Sequence, residues 1–233
     1  MSFLGNLFND PLYQKEEPRR AEEIADEEVI ISPDTRRAER IPPGQTRTRK
    51  WPVLDAHGTP EIDLATWSFE VDGLVEHPQS WSLDDFMQLP AVKVYADFHC
   101  VTRWSRLDNI WSGVSTREFA KVVGLRPEAG FALAFGYDYG WSTNIPIEYF
   151  LAEDALFAWS HDGRPIAPEH GGPVRLIVPQ LYAWKSAKWV KGVRFLAEDE
   201  PGFWERGGYH MRGNPWNGGD GERFRWQEDE SQG

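Results

Sequence analysis

Cys100 is the only cysteine in the 233-residue chain, and it ends the alternating stretch AVKVYADFHC directly after His99. A lone cysteine is most often a small buried side chain, and Cys100 shares its predicted strand face with Val94 and Phe98. The functional alternatives are a nucleophile and a ligand of a soft metal, and both need the thiolate. His99 is not expected to be its base, because successive side chains of a strand point to opposite faces. Zinc is not expected, because no second cysteine or spaced histidine pair accompanies Cys100.

The segment EHGGPVRLIVP, residues 169–179, predicts a buried arginine. His170 stands before a Gly-Gly-Pro turn, and Arg175 lies inside the apolar strand that follows. Burying a guanidinium without an anionic partner is costly. The partner could be a carboxylate in a structural ion pair, or a phosphate, which arginine meets with two parallel hydrogen bonds. The pattern alone leaves both possibilities open.

A local positive cluster lies in KSAKWVKGVR, where basic residues recur at every third position: Lys185, Lys188, Lys191 and Arg194. A solvated, charge-balanced face is the expected position of Lys191 and Arg194. Lys185 and Lys188, beside small side chains, could instead close around a phosphate with help from backbone N–H groups. The chain has no G-x-G-x-x-G motif, no P-loop and no Gly-x-Ser-x-Gly elbow, which excludes the common nucleotide and hydrolase fingerprints.

The elements that must position these groups are many short strands and a few short helices. Alternating or apolar runs predict strands at WSFEV, AVKVYADFHC, GFALAF, PVRLIVP and WVKGVRFLA, and ALFAWSHDGRPI predicts a hairpin at Asp162-Gly163. Helices are predicted in SLDDFMQLP, capped by Ser82, in STREFAKVVGL, capped by Ser115, and in NIPIEYFL, with Pro146 in its first turn. These helices are too short for regular crossovers, so we predict an α+β fold with a dominant mixed sheet or barrel.

Composition bounds the domain organisation and the partners. Residues 1–42 are charge-dense and end in Pro-Pro, which predicts an N-terminal arm, either partly disordered or wrapped over a domain at 43–233. The net charge of −12 disfavours nucleic acid as a partner. No secretory signal and no apolar run long enough for a membrane helix is evident. With a single cysteine, these features predict a cytoplasmic protein.

Three segments together, HCVTRWSRLDNIWSGV, HGGPVRLIVPQLYAWKSAKWVKGVRF and GFWERGGYHMRGNPW, resemble the sulfite oxidase-like molybdopterin oxidoreductases. The resemblance is closest to the compact bacterial branch, which includes the catalytic subunit of the periplasmic methionine sulfoxide reductase. It covers most of the chain, and its specificity lies in the order and spacing of the segments. It implies a sulfite oxidase-type fold, a molybdenum–molybdopterin cofactor and a cysteine ligand to the metal, a role for which a soft thiolate is suited.

Carried over residue by residue, the resemblance implies that Cys100 ligates molybdenum. His170 and Arg175 fall on cofactor-binding positions, although the methionine sulfoxide reductase branch has asparagine at the His170 position. The remaining implied cofactor contacts are Ser186, Ala187 and Lys188 around the pterin phosphate, and, less directly, Trp51, Val53 and Thr143, the last in a predicted turn at Ser142-Thr143-Asn144. Trp104 and Trp111 are expected either to wall the pocket or to pack in the core.

The chain departs from sulfite oxidases directly after the cysteine, where CVTRWSR replaces a segment with paired arginines. Arg103 is the candidate catalytic contact to an anion, with Arg106 as its alternative, and sulfite is not strongly indicated. The implied function is oxygen-atom transfer, or related two-electron chemistry, on a small S-oxide, N-oxide or sulfite-like substrate. Electrons would pass through a separate protein, because no haem or flavin motif is present. The alternatives are a cofactor-free cysteine hydrolase or transferase, and a non-catalytic module that kept the fold.

Overall fold

The computed structural model describes residues 29–216. Within them the strands are β1 (Val29–Ile31), β2 (Thr46–Arg47), β3 (Ser68–Gly73), β4 (Gln79–Ser82), β5 (Ala91–Cys100), β6 (Trp104–Ser115), β7 (Phe131–Gly136), β8 (Ser142–Pro146), β9 (Leu156–His161), β10 (Arg164–Pro165), β11 (Arg175–Ile177) and β12 (Val190–Leu196). The α-helices are α1 (Leu83–Phe86), α2 (Thr116–Val122), α3 (Ile147–Phe150) and α4 (Phe203–Arg206), and short 3-10 turns span Pro33–Arg36, Pro168–His170 and Ala183–Lys185.

The strands form two mixed sheets. The larger follows the order β1-β5-β6-β9-β10, with β11 paired to β9 and β2 paired to β6, and the smaller follows β4-β3-β12-β7-β8. The pairs β1–β5, β2–β6 and β3–β12 are parallel, and the other pairs are antiparallel. Side chains from both sheets share the main core, where Phe69 of β3 meets Phe157 of β9 edge to face at 4.9 Å between centroids. The predicted α+β class with mixed sheets and short helices is confirmed.

Local sequence signals predict several element boundaries correctly, whereas the long strand β6 was not predicted. The Ser115 side chain accepts a hydrogen bond from the Glu118 N–H and starts α2, as predicted. Asp162 and Gly163 form the β9–β10 hairpin turn, both with positive φ. Pro146 is an exception, because it ends β8 and precedes α3 instead of lying in its first turn. The predicted turn at Ser142-Thr143-Asn144 is also wrong, because these residues pair with β7 as strand β8.

The described part of the predicted arm adds to the larger sheet. β1 pairs in parallel with β5, and the Ser32 hydroxyl donates to Asp154 at 2.6 Å. Arg40, 8 % exposed, forms an ion pair of 2.6 Å with Asp97 of β5. Residues 1–28 lie outside the described residues, and the domain boundary at 43 stays a prediction. Between residues 29 and 216, no helix has the length and apolar character that crossing a bilayer would require.

Candidate cofactor site

A cavity of about 220 Å³ lies where the β5–β6 hairpin ends, beside the segments 51–56 and 183–189. The turn after β7 and the residues around α4 complete its walls. Aromatic side chains dominate the lining, among them Trp104, Trp141, Trp184, Trp189, Trp204 and Tyr209. A concave, largely apolar site with a few polar groups is the usual form of a small-molecule or cofactor pocket.

Cys100 lines this cavity from the last position of β5 and is 8 % exposed. A tight turn follows it, because the Arg103 N–H donates to the Cys100 carbonyl at 3.0 Å and Arg103 adopts a φ of 73°. The Thr102 hydroxyl donates to Sγ at 3.2 Å. Burial raises the pKa of the Cys100 thiol, and the charges of Arg175 and Lys188 oppose that rise.

His99 lies away from the cavity, as the strand alternation predicts. Its Nδ1 is 2.9 Å from the Ser105 Oγ, and its ring meets Trp216 edge to face. Burial, followed by the charge of Arg40, lowers the pKa of His99 to about 3, so the ring is neutral at physiological pH. A cysteine nucleophile activated by His99 is therefore not supported.

Arg175 enters the cavity from β11 with only 2 % of its surface exposed. Its Nη1 donates to the His170 carbonyl at 2.6 Å and its Nη2 to the Ser186 carbonyl at 3.0 Å, while Nε is buried without a partner. Burial lowers the pKa of Arg175 to about 9, and Cys100 is the acidic group that opposes this shift. Within residues 29–216 no carboxylate forms an ion pair with Arg175, so this part of the chain gives no support to the structural alternative for this arginine.

Lys188 is the second cation of the cavity. Its Nζ donates to the Glu169 carbonyl at 2.8 Å and lies 3.8 Å from an Asp55 carboxylate oxygen. Burial and the neighbouring Arg175 charge lower the pKa of Lys188 to about 8. Gly171 makes this approach possible, because a Cβ there would lie 2.9 Å from the Lys188 Cα, and its φ of 102° suits glycine.

The other three basic residues of the cluster point elsewhere. Lys185 is fully buried in an ion pair with Glu205, so the hypothesis that it closes around a ligand phosphate is wrong for this lysine. Lys191 lies 3.8 Å from Glu70, and Arg194 pairs with Asp72 at 2.7 Å, both on the exposed side of β12. The solvated, charge-balanced face predicted for the last two is confirmed.

His170 does not line the cavity itself but is stacked on Trp51, which does. Their rings stack at 4.0 Å between centroids with an interplanar angle of 9°, and Trp51 lines the cavity. The His170 Nδ1 is buried without a partner. Burial and the Arg175 charge lower the pKa of His170 to about 4, so this ring is also neutral. Ser186 lines the cavity as well, and its hydroxyl accepts the Val178 N–H at 2.9 Å.

Like His170, the remaining candidates do not line the cavity. Val53 is 42 % exposed, Ala187 belongs to the main core, and Thr143 is buried with its hydroxyl donating to Glu205 at 2.9 Å. Arg103 is exposed on the turn after Cys100, and its alternative Arg106 pairs with Asp162 at 2.8 Å. Of the two tryptophans, Trp104 lines the cavity and Trp111 is fully buried in the core. The roles assigned to Val53, Ala187, Thr143 and Arg103 stay predictions without support from cavity geometry.

The family model described as the oxidoreductase molybdopterin binding domain matches residues 56–204. The chain belongs to this family. It is therefore a molybdopterin-dependent oxidoreductase and not a cofactor-free cysteine hydrolase or a module without catalysis.

Two relatives show how this family member compares with others. An uncharacterized oxidoreductase of Bacillus subtilis, YuiH, is 47 % identical over 80 % of this chain and 93 % of its own length. YedZ1 of Azospira oryzae, provisionally named as a subunit of a protein-methionine-sulfoxide reductase, is 31 % identical over 74 % of this chain and 66 % of its own length. The chain thus spans nearly all of the first relative and about two thirds of the second.

One solved structure supports the fold of this molybdopterin oxidoreductase. The sulfane dehydrogenase SoxCD of Paracoccus pantotrophus matches with a TM-score of 0.56 at 22 % identity, over 60 % of this chain and 41 % of that chain. At this identity the likeness concerns the fold alone. The predicted sulfite oxidase-type fold is confirmed.

Asp138 and Tyr209 are among the cavity residues of this oxidoreductase that were not predicted. Asp138, 4 % exposed, has a buried Oδ1 without a partner, and burial raises the pKa of its carboxyl to about 6. The Tyr209 ring stacks on Trp204 at 5.1 Å between centroids and meets Trp184 edge to face at 5.0 Å. Burial, followed by the charge of Cys100, raises the pKa of its phenol. Neither position stands out in the sequence, because each lies in a polar turn whose contacts are made with distant segments.

Proposed function

We propose that this oxidoreductase transfers an oxygen atom to or from a small neutral S-oxide or N-oxide, or carries out related two-electron chemistry. When bound, molybdenum–molybdopterin supplies a metal that exchanges two electrons and an oxygen atom with such a substrate. The observation that carries the proposal is Arg175, a buried cation that lines the same cavity as the lone cysteine and has no carboxylate partner among residues 29–216.

The residues around the cavity fit an anionic organic cofactor. Arg175 Nε and His170 Nδ1 are buried polar atoms without partners, and buried polar groups are otherwise nearly always hydrogen-bonded. Lys188 adds a second positive charge, with one carbonyl at 2.8 Å and a carboxylate oxygen of Asp55 at 3.8 Å. Arg175, Lys188 and His170 would hold the pterin and its phosphate, and Ser186 would hold it through the backbone that Arg175 fixes.

Cys100 would provide the protein ligand to the metal. Within residues 29–216, no group of three or more His, Cys, Asp or Glu side chains could hold a metal ion without help. A single soft sulfur therefore suits a metal whose other ligands belong to the cofactor. Thr102 keeps the sulfur oriented by its hydrogen bond of 3.2 Å, and Trp51, stacked on His170, shields this side of the cavity from water.

The substrate side of the cavity favours a neutral molecule. Arg175 and Lys188 are the cations among its lining residues, and both are assigned to the cofactor. The other walls are mainly indole and phenol rings, which suit an apolar body carrying one polar oxygen. Sulfite, a dianion at alkaline pH, would lack a cation of its own. Electrons would be exchanged with a separate protein, and a cytoplasmic location stays a prediction.

Elemental analysis is the first experiment. The protein is expressed in a host that makes the cofactor, and we expect about one molybdenum atom per chain, as metal-ligand stoichiometry requires. Assays with redox dyes then compare sulfoxides, N-oxides and sulfite, and a neutral oxide is expected to turn over fastest. Protein that lacks molybdenum under these conditions, with zinc or no metal in its place, would contradict the proposal. Preference for sulfite would contradict the assignment of substrate only.

A further inference from the structure

A fully buried ion pair lies directly behind the cavity wall. Lys185 Nζ is 2.6 Å from Glu205 Oε1, and both side chains have no exposed surface. Neither residue lines the cavity, and the proposed function does not use either of them. The pair joins the 3-10 turn Ala183–Lys185 to helix α4.

The same carboxylate oxygen gathers two further donors. Glu205 Oε1 accepts the indole N–H of Trp184 at 2.9 Å and the hydroxyl of Thr143 at 2.9 Å. Lys185 Nζ also donates to the Asn144 carbonyl at 2.9 Å. These contacts link β8, the turn before Ser186 and α4 through one charged centre. We call Lys185, Glu205 and Thr143 the buried clamp.

The segments that meet at the buried clamp line the cavity with their neighbouring residues. Trp184 and Ser186 flank Lys185 in the chain, and Trp204 precedes Glu205. The Tyr209 N–H donates to the Trp204 carbonyl at 3.0 Å, which ties the position of Tyr209 to α4. Cofactor-facing and substrate-facing walls therefore share one anchor beneath them.

The energetics of buried ion pairs favour a positioning role for Lys185 and Glu205 over a stabilising one. Removing two charges from water costs several kcal/mol per ion, and apolar side chains of similar volume are often at least as stabilising as a buried pair. The charged pair Lys185–Glu205 does, however, hold its hydrogen-bond partners in one geometry, as hydrogen bonds to the ligands do around metal centres. Thr143 contributes to this geometry through Glu205.

We propose that the buried clamp is a positioning device that holds Ser186 and Lys188 against the cofactor, and Trp184 and Tyr209 against the substrate. The inference rests on the proposed function. It also assigns Thr143 a role through Glu205, in place of the direct cofactor contact implied by the family resemblance.

The test measures cofactor release from the molybdenum-loaded enzyme. In the double variant Lys185→Met/Glu205→Leu, both charges are replaced by apolar groups, while the Trp184 N–H and the Thr143 hydroxyl lose their acceptor. We therefore expect a folded protein with a lowered thermal midpoint, and release is measured at a temperature well below that midpoint. Release of molybdenum and pterin, followed by elemental analysis and pterin fluorescence after dilution, should become about 10–100-fold faster. The control Asp72→Asn/Arg194→Gln removes an exposed pair on β3 and β12 and should leave release unchanged.

A second pair of variants keeps the test decisive if the double variant does not fold. Thr143→Val removes one donor to Glu205 with little change in volume, and Thr143→Ser keeps the hydroxyl. We expect faster release in Thr143→Val and the unaltered rate in Thr143→Ser. Equal release rates in all folded variants would overturn the positioning role while leaving the proposed function intact. Unaltered protein that holds no molybdenum would overturn both.

Discussion

Lys185 and Lys188 are three residues apart on one loop, yet their surroundings differ. Lys185 has a carboxylate at 2.6 Å and no exposed surface. Lys188 faces the cavity, with a carbonyl at 2.8 Å and its nearest ion-pair carboxylate oxygen at 3.8 Å. Saturated hydrogen bonding marks the first as part of the protein's own structure. The weaker internal pairing of the second, beside the unpartnered Nε of Arg175, leaves capacity for a ligand.

Among the cavity residues, Cys100 is the one whose substitution should reduce turnover most. In Cys100→Ser, the soft sulfur is replaced by a hard hydroxyl that ligates molybdenum poorly. We expect dye-linked turnover below about one hundredth of the unaltered enzyme, a larger loss than changes outside the ligand shell cause. Molybdenum per chain and steady-state turnover are measured together. Full metal content with full turnover in this variant would show that Cys100 is not the ligand.

The same substitution at the two lysines should lower the free energy of unfolding by very different amounts. Lys185→Met leaves Glu205 as a buried unpaired charge, and we expect the free energy of unfolding to fall by about 3–5 kcal/mol. Lys188→Met should not lower it by more than about 1 kcal/mol, because only one carbonyl loses its donor and the cost of burying the charged lysine is removed as well. Urea unfolding of cofactor-free protein gives both values.

Cofactor release, unlike stability, should be affected directly by the substitution of Lys188. Loss of one charge-assisted hydrogen bond to phosphate, worth about 1.5–3 kcal/mol, predicts release about 10–100-fold faster in Lys188→Met. Pterin fluorescence after dilution measures the rate. If Lys188→Met retained its cofactor as the unaltered protein does, Lys188 would not be a phosphate contact.

The pH dependence of the cofactor-free protein gives a smaller effect. Burial lowers the pKa of Lys188 from 10.5 to about 8 in the folded state, so the unfolded chain binds the proton more tightly. The resulting penalty is present in full below about pH 8 and disappears as the pH rises towards 10.5. The unaltered protein should therefore gain stability relative to Lys188→Met through this window. Urea unfolding of both proteins at pH 7 to 10 checks the sign, and a constant difference would argue against a buried, charged Lys188.

The sequence predicted the part of this comparison that depends on local pattern. Strand alternation placed Cys100 and His99 on opposite faces of β5, and the apolar run around Arg175 predicted its burial. Periodicity of the lysines could not separate Lys185 from Lys188. Their difference arises from Glu205, 17 or more residues further along, and from the fold that brings α4 under the loop.

Residues that act through distant partners were the ones sequence reasoning missed or misplaced. Asp138 and Tyr209 line the cavity because the fold places the turn after β7 and the segment after α4 beside it. Thr143 was assigned to a turn, but its pairing with β7 directs its hydroxyl to Glu205. The family resemblance supplied the cofactor and the cysteine ligand, which composition and spacing left open.

Substitution of Val53 gives the smallest expected effect. It tests whether the family resemblance or the cavity lining identifies the cofactor contacts correctly. The resemblance implies a cofactor contact, whereas the side chain is 42 % exposed and does not line the cavity. Val53→Ala removes two methyl groups from a surface position, so we expect stability within about 0.5 kcal/mol of the unaltered protein and the same cofactor release rate. Trp51→Ala, two residues earlier, is the matched comparison, because it removes the ring stacked on His170. Faster release in Val53→Ala would show that Val53 contacts the cofactor, as the resemblance implies.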